Sequence, residues 1–278
     1  MGLTFSNSNG TSGRFRAYST FLSSDPDVNA FLSATEITDA TIAGAVGALV
    51  EDLKGYGIWT KMKALYPFVG GTATTHKYNL KDPQDTNAAF RLVFSGGWTH
   101  SANGAKPNGT NGYADTNFNP SSVLSLNNTH ISIYSRTSLI VNNQRDLAVF
   151  ISGSDPAISL GTNTGVFLSD QYSFNTNRIS ASITDALGFY TGNRTSSTVH
   201  KLFKNGSQIG STDTFANSQN LPNGNLFLGA ANLTTSGIGA YSNKQYAFAS
   251  IGDGLTDTEA ANYYTAVQAF QTTLGRQV

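Results

Sequence analysis

The chain has 278 residues and no Cys, so it is long enough to bury a sizeable core, and disulfide scaffolds, thiolate metal sites and cysteine nucleophiles are excluded. Charged residues make up 12% and balance at 17 Lys plus Arg against 17 Asp plus Glu. No bulk field therefore recruits nucleic acid or another polyion. The polar remainder is rich in Ser, Thr, Asn and Gly, a mixture suited to strand faces, tight turns and hydrogen bonding to neutral ligands such as glycans. Residues 1–22 lack a basic stretch followed by a continuous apolar one, and no apolar run reaches about 18 residues. Neither a secretory signal nor membrane insertion is expected.

Residues 1–24 are Ser-, Asn- and Gly-rich with scattered aromatics, Phe5, Phe15, Tyr18 and Phe21. This is the pattern of an extended arm, with the aromatics as its attachment points. Asp25-Pro26-Asp27 then predicts a helix start, with Ser24 or Asp25 as cap and Pro26 at the first helical position. Thr38-Asp39 offers a second cap, and Ile42, Val46, Leu49, Val50 and Leu53 recur at spacings of three and four up to Gly55, the period of an amphipathic helix. A further turn or two is predicted from Trp59 to Leu65, stopped by Pro67. Residues 25–85 thus form a helical attachment and linker module.

From about residue 86 the period becomes two, with strands predicted at 90–94, 113–118, 130–136, 147–151, 178–183, 187–191, 199–204, 208–211, 226–229 and 246–251. Residues 101–112 are expected to be a Gly- and Asn-rich loop. Asn205-Gly206 between two strand-like runs predicts a type I′ hairpin, because both central positions need positive φ. Thr256-Asp257-Thr258-Glu259 is a capping box opening a helix over 256–274, with Ala260, Tyr263, Tyr264, Val267, Phe270 and Leu274 as its apolar face. Gly275 and Arg276 end it as a C′ glycine and a cation matched to the helix dipole. Many short strands without βαβ alternation predict a mainly β sandwich or jelly roll over 86–278.

Three segments together resemble the laminin-G-like, concanavalin A-like jelly rolls. Gly112-Tyr113-Ala114-Asp115-Thr116 before Leu126–Tyr134 is similar to the opening strand pair, the Asn205-Gly206 hairpin to an internal landmark, and Ala249-Ser250-Ile251-Gly252 leading into Thr256–Glu259 to the last strand and terminal helix. The stretch from Asp52 to Leu80, with Gly55-Tyr56-Gly57-Ile58-Trp59-Thr60 and Tyr66-Pro67-Phe68-Val69-Gly70-Gly71, resembles a module placed ahead of this fold in structural proteins of tailed bacteriophages. The resemblance implies a virion protein made in the host cytoplasm and partnered by other virion proteins and by copies of itself. The fold family spans lectins, glycosidases and adhesion modules, so the site must decide the function.

Retaining glycoside hydrolysis needs two carboxyls about 5–5.5 Å apart. The chain has three Glu, and Glu36 and Glu51 fall in the helical module while Glu259 falls in the terminal capping box. His76, His100, His130 and His200 are isolated in sequence, without zinc-site spacing. No Gly-x-Ser-x-Gly elbow or P-loop occurs. Sugar binding wants an aromatic face together with Asn, Asp or backbone groups for hydroxyls, sometimes ordered by calcium. Two patches offer this: Trp98, Asn103, Asn108, Asn111 and Tyr113, and then Tyr172, Tyr190, Asn193 and Arg194. The alternative is that these aromatics pack beneath loops or between subunits.

The sequence is thus expected to encode a non-enzymatic virion surface protein, a capsid decoration, head fibre or tail appendage, whose jelly roll adheres to host-surface glycans. The alternative is a lectin module devoted to glycan recognition, and a glycoside hydrolase is disfavoured. No cofactor is required, and calcium is allowed without being demanded.

Overall fold

The computed structural model describes residues 23–151, 155–173, 177–216 and 219–278. Phe5, Phe15, Tyr18 and Phe21, the expected attachment residues, lie outside the described residues.

Two helices come first, α1 (Pro26–Thr35) and α2 (Ala40–Gly55). There follow β1 (Met62–Tyr66), α3 (Ala73–His76), β2 (Val93–Ser95), β3 (Trp98–Ser101), β4 (Gly104–Pro107), β5 (Tyr113–Asp115) and α4 (Pro120–Val123). The central strands are β6 (Thr129–Ser135), β7 (Gln144–Phe150), β8 (Ala157–Asn163), β9 (Val166–Gln171), β10 (Ile179–Ser182), β11 (Gly188–Ser196), β12 (Val199–Lys204) and β13 (Ser207–Asp213). The chain closes with β14 (Phe227–Leu228), β15 (Ala231–Leu233), β16 (Gly237–Gly239), β17 (Tyr246–Gly252) and α5 (Asp257–Thr273).

The strands form two sheets. The first runs β13-β12-β11-β6-β17-β4-β3, with β1 also paired to β17. The second runs β10-β9-β8-β7-β14-β5-β2, and β15 joins it beside β7 and pairs with β16. Pairing is antiparallel except between β15 and β7.

Alternation along the strands of the first sheet divides their side chains between two apolar layers, while the strands of the second sheet turn one face to the inter-sheet core. Ile131 and Ile133 of β6, Leu147 and Val149 of β7, Ile158 and Leu160 of β8, and Ile251 of β17 fill the space between the sheets. Tyr134, Phe189, Phe203 and Phe248 point from the opposite face of the first sheet onto Val46, Leu49 and Leu53 of α2 and Tyr263, Val267 and Phe270 of α5. The molecule thus has three layers, with the first sheet in the middle. Each such fully buried side chain contributes about 1.5–3 kcal/mol.

The local signals produce the structures they predict. Asp25 accepts from the Asp27 N–H and Asp39 from the Ile42 N–H, capping α1 and α2. Thr256 and Glu259 cap α5 reciprocally, at 3.2 and 2.7 Å. Asn205 and Gly206 turn between β12 and β13 with φ of 51° and 74°. A Cβ on Gly206 would stand 3.0 Å from Tyr264 Cβ and 3.2 Å from Ala261 Cα, so this glycine also lets α5 approach the hairpin.

Three expectations change. The helix predicted from Trp59 to Leu65 is a 3-10 turn at Trp59–Lys61 followed by β1, which pairs with β17. Its apolar run serves both layers, since Ala64 and Tyr66 enter the inter-sheet core and Met62 and Leu65 enter the helical one. The segment 101–112 is not all loop, because β4 lies within it. Arg276 is no exposed dipole partner: it is 1% exposed and donates to the carbonyls of Pro67, Phe68, Ala102 and Ala247 and to Gln271 Oε1. It ties the chain end to the β1–α3 loop, the β3–β4 turn and β17.

Candidate binding site

Four of the five residues of the first patch converge where the β2–β3 turn meets the β4–β5 loop. Asn108 Oδ1 accepts from the backbone N–H groups of Thr110, Asn111 and Gly112 at 3.0, 3.1 and 3.0 Å. Asn108 Nδ2 donates to Asn111 Oδ1 (2.7 Å), which also takes the Gly97 N–H (3.0 Å). These two amides therefore hold the loop in shape. Trp98 is half-buried: its indole N–H donates to the carbonyls of Ser95 and Tyr113, and its ring meets Phe94 edge-on at 5.0 Å. It braces the strand that carries Tyr113. Asn103 stands apart, exposed in the turn at the far end of the β3–β4 hairpin.

Tyr113 lies on the outer face of the second sheet. Ala114 and Leu228 enter the inter-sheet core, so strand alternation turns Tyr113, Asp115 and Phe227 to the outer face of the second sheet. The Tyr113 and Phe227 rings stack with centroids 4.9 Å apart and planes inclined by 26°. Beside them Asn225 Nδ2 donates to both carboxylate oxygens of Asp115, at 3.1 and 3.2 Å. Asp115 Oδ1 also accepts the Asn117 N–H at 2.7 Å, and Asn232 Nδ2 reaches the Asn225 carbonyl at 2.8 Å. The outcome is a half-buried Tyr113 ring backed by the buried Phe227, next to a pre-oriented carboxylate and carboxamides. That is the equipment for stacking an apolar ring face and accepting hydroxyl hydrogens. Asp115, Asn225 and Phe227 were not singled out from the sequence as sugar ligands; the one available signal was the alternation of 113–116, which puts Asp115 on the face of Tyr113.

The second patch is corrected. Tyr172, Tyr190, Asn193 and Arg194 are all buried and offer no surface to a ligand. The Tyr172 hydroxyl accepts from the Asn127 N–H and bonds Thr129 Oγ1. Tyr190 stacks on Phe167 at 3.7 Å, inside the sandwich. Asn193 clamps Leu255 through its backbone N–H and carbonyl. The Arg194 guanidinium donates to Asn127 Oδ1, the Gln171 carbonyl and the Ser197 carbonyl. Their polar ends satisfy internal partners, the condition under which such side chains can be buried.

Groups with catalytic chemistry are likewise engaged internally. Ser169 Oγ lies 2.9 Å from His200 Nε2, and His200 Nδ1 lies 2.9 Å from the Asn177 carbonyl and 4.0 Å from Asp213 Oδ2. This resembles a charge-relay triad in connectivity, yet Ser169 and His200 have no exposed surface for a substrate to reach. Burial holds the His200 pKa down at about 3 and that of His130 at about 4. His76 is also lowered to about 3, by burial first and by its neighbours His100 and Arg276; its Nδ1 sits 2.9 Å from His100 Nδ1. Asp170 is held by Arg178 and Asp146 by Lys244. Glu259 pairs with Lys61. Among the described residues no three His, Asp or Glu side chains converge on a metal position.

No protein-family model matches the chain, and no curated protein matches it. Solved structures do share its fold. One concerns botulinum neurotoxin type C, described as depending for cell entry on interaction with two ganglioside molecules; it has a TM-score of 0.52 at 13% identity, over 76% of this chain and 52% of that one. A mutant of HCR D/C VPI 5995 has a TM-score of 0.52 at 14% identity, over 76% and 53%. A carbohydrate-binding domain, CBM40 of a Ruminococcus gnavus IT-sialidase bound to α2,3-sialyllactose, scores 0.40 at 17% identity, over 49% of this chain and 82% of that one. The chain spans about half the length of the first two. The likeness shows the fold: a mainly β sandwich of two sheets with a C-terminal helix.

Proposed function

We propose that the chain is a non-enzymatic recognition module that holds a glycan on the outer face of its second sheet. The observation that carries this is the Tyr113–Phe227 stack beside the Asp115–Asn225 pair. An aromatic face takes the apolar side of a pyranose, and the flanking carboxylate and amide orient its hydroxyls. That ganglioside-dependent entry is described for a toxin of the same fold supports the ligand class. Supporting a role without catalysis, Asp115 is bonded by Asn225 and Asn117 rather than faced by a second acid. A glycan array probed with the full chain tests the reading. Retention on at least one class of neutral oligosaccharide is expected, and a blank array together with no retardation in polysaccharide-containing gels contradicts it.

The setting we propose is a virion surface, with residues 1–24 as the attachment arm. Its support is the residue pattern at 52–80 and the Ser-, Thr- and Asn-rich composition. Antibody raised against the chain should label intact particles; labelling of debris alone contradicts the setting.

A further inference from the structure

A second polar centre lies inside the sandwich, away from the sugar face. The side chains of Lys244 and Asp146 are both 0% exposed, with Nζ 3.0 Å from Asp146 Oδ1. Lys244 is also held by Thr162 Oγ1 at 2.9 Å and Gln144 Oε1 at 3.3 Å. The carboxylate is asymmetrically served. Oδ1 accepts in addition from the Tyr246 hydroxyl (2.8 Å) and Ser242 Oγ (2.9 Å), whereas Oδ2, equally buried, has no hydrogen-bond partner among the described residues. Burial, with Asp146 beside it, pushes the Tyr246 phenol well above its ordinary pKa, so it stays a donor.

A buried ion pair that leaves one oxygen unsatisfied is a poor stabilising device, because desolvation of both charges offsets their attraction. The same atoms rearrange into a neutral group that suits the site. We propose that Lys244 and Asp146 condense into an intramolecular isopeptide bond. The ammonium passes one proton to Oδ2, and the freed amine lone pair attacks Cγ. As the C–N bond forms, the carbonyl electron pair moves onto Oδ1, where Tyr246 and Ser242 donate hydrogen bonds to the developing oxyanion. A second proton moves from nitrogen to Oδ2, the Cγ–Oδ2 bond breaks, water leaves, and the Oδ1 carbonyl re-forms. Ammonium plus carboxylate becomes amide plus water, with no oxidant or co-reactant. Fixed juxtaposition favours the step, since well-oriented intramolecular groups reach effective molarities of about 10⁵–10⁸ M. The bond would join β7 of the second sheet to the segment entering β17 of the first, a covalent tie across the sandwich.

Intact mass spectrometry of the denatured full chain tests this. The expected mass is lower than that of the sequence by one water, and trypsin should yield a branched peptide joining the Lys244 and Asp146 segments with no cleavage after Lys244. The Lys244→Met chain should show the full mass of its own sequence. A wild-type chain of full sequence mass overturns the proposal, and so does a loss of water carried only by linear peptides. The readout needs no ligand and no variant that folds, so it stands apart from the fate of the glycan reading.

Discussion

Tyr113 and Phe227 lie more than a hundred positions apart in the chain and stack on adjacent strands with ring centroids 4.9 Å apart. The register Asp115↔Phe227 and Ala114↔Leu228 makes the two rings diagonal neighbours on one face. The buried Phe227 backs the half-buried Tyr113 ring and fixes its plane, so the ring is held ready before any ligand arrives.

The Asp115–Asn225 pair orients the acceptor beside that ring. Asn225→Ala frees the carboxylate from a two-point tie and should weaken glycan binding by about 1 kcal/mol, roughly fivefold, with little change in stability. Titration of the variant against the glycan retained by the wild type, with unfolding midpoints measured alongside, checks this. Unchanged affinity would remove Asn225 from the site.

Acid should unfold the protein through its buried histidines. His76, His130 and His200 are held by burial at about 3, about 4 and about 3. An unfolded histidine takes up its proton near pH 6.5. Between there and about pH 4 the unfolded chain binds more protons, so stability is full above that window and falls as pH falls through it. At about 1.4 kcal/mol per unit, the three together lose roughly 6 kcal/mol by about pH 5. Urea unfolding at neutral pH and at pH 5 measures the loss, and His200→Gln should flatten the slope. Equal midpoints at the two pH values contradict the burial account.

Arg276 should be among the most sensitive single positions for stability. Its planar guanidinium reaches four carbonyls and Gln271 from three directions, a geometry that an ammonium cannot reproduce. Arg276→Lys is expected to cost about 3–5 kcal/mol in urea unfolding. A loss below about 1 kcal/mol would mean that the chain end is held mainly by the apolar contacts of α5.

The contrast between these sites shows what the sequence made legible. Caps at Asp25, Asp39 and Thr256, and the Asn205-Gly206 turn, are settled by atoms within a few residues of each other, so local chemistry suffices to place them. β8 and β9 were not singled out because their buried positions include Ser159, Ser169 and Asp170, polar side chains satisfied by one another, His200 and Arg178, partners that no local pattern assigns to them. β1 was read as helix because its apolar residues supply two layers at once. Tyr113 was legible as a candidate; its partners Phe227 and Asn225 were not, because only sheet register brings β14 beside β5. Tyr190 and Arg194 misled for the converse reason, since their polar ends are satisfied by Asp185 and Asn127, groups that no local pattern assigns to them.

The central claim is that Tyr113 is the platform of a glycan site, and equilibrium binding by wild-type and Tyr113→Ala chains to a retained neutral oligosaccharide tests it most directly. The account predicts a loss of at least about tenfold in affinity, together with a lowered unfolding midpoint from the lost stacking on Phe227, the chain remaining folded at the binding temperature. Undiminished binding by a folded Tyr113→Ala chain would contradict it.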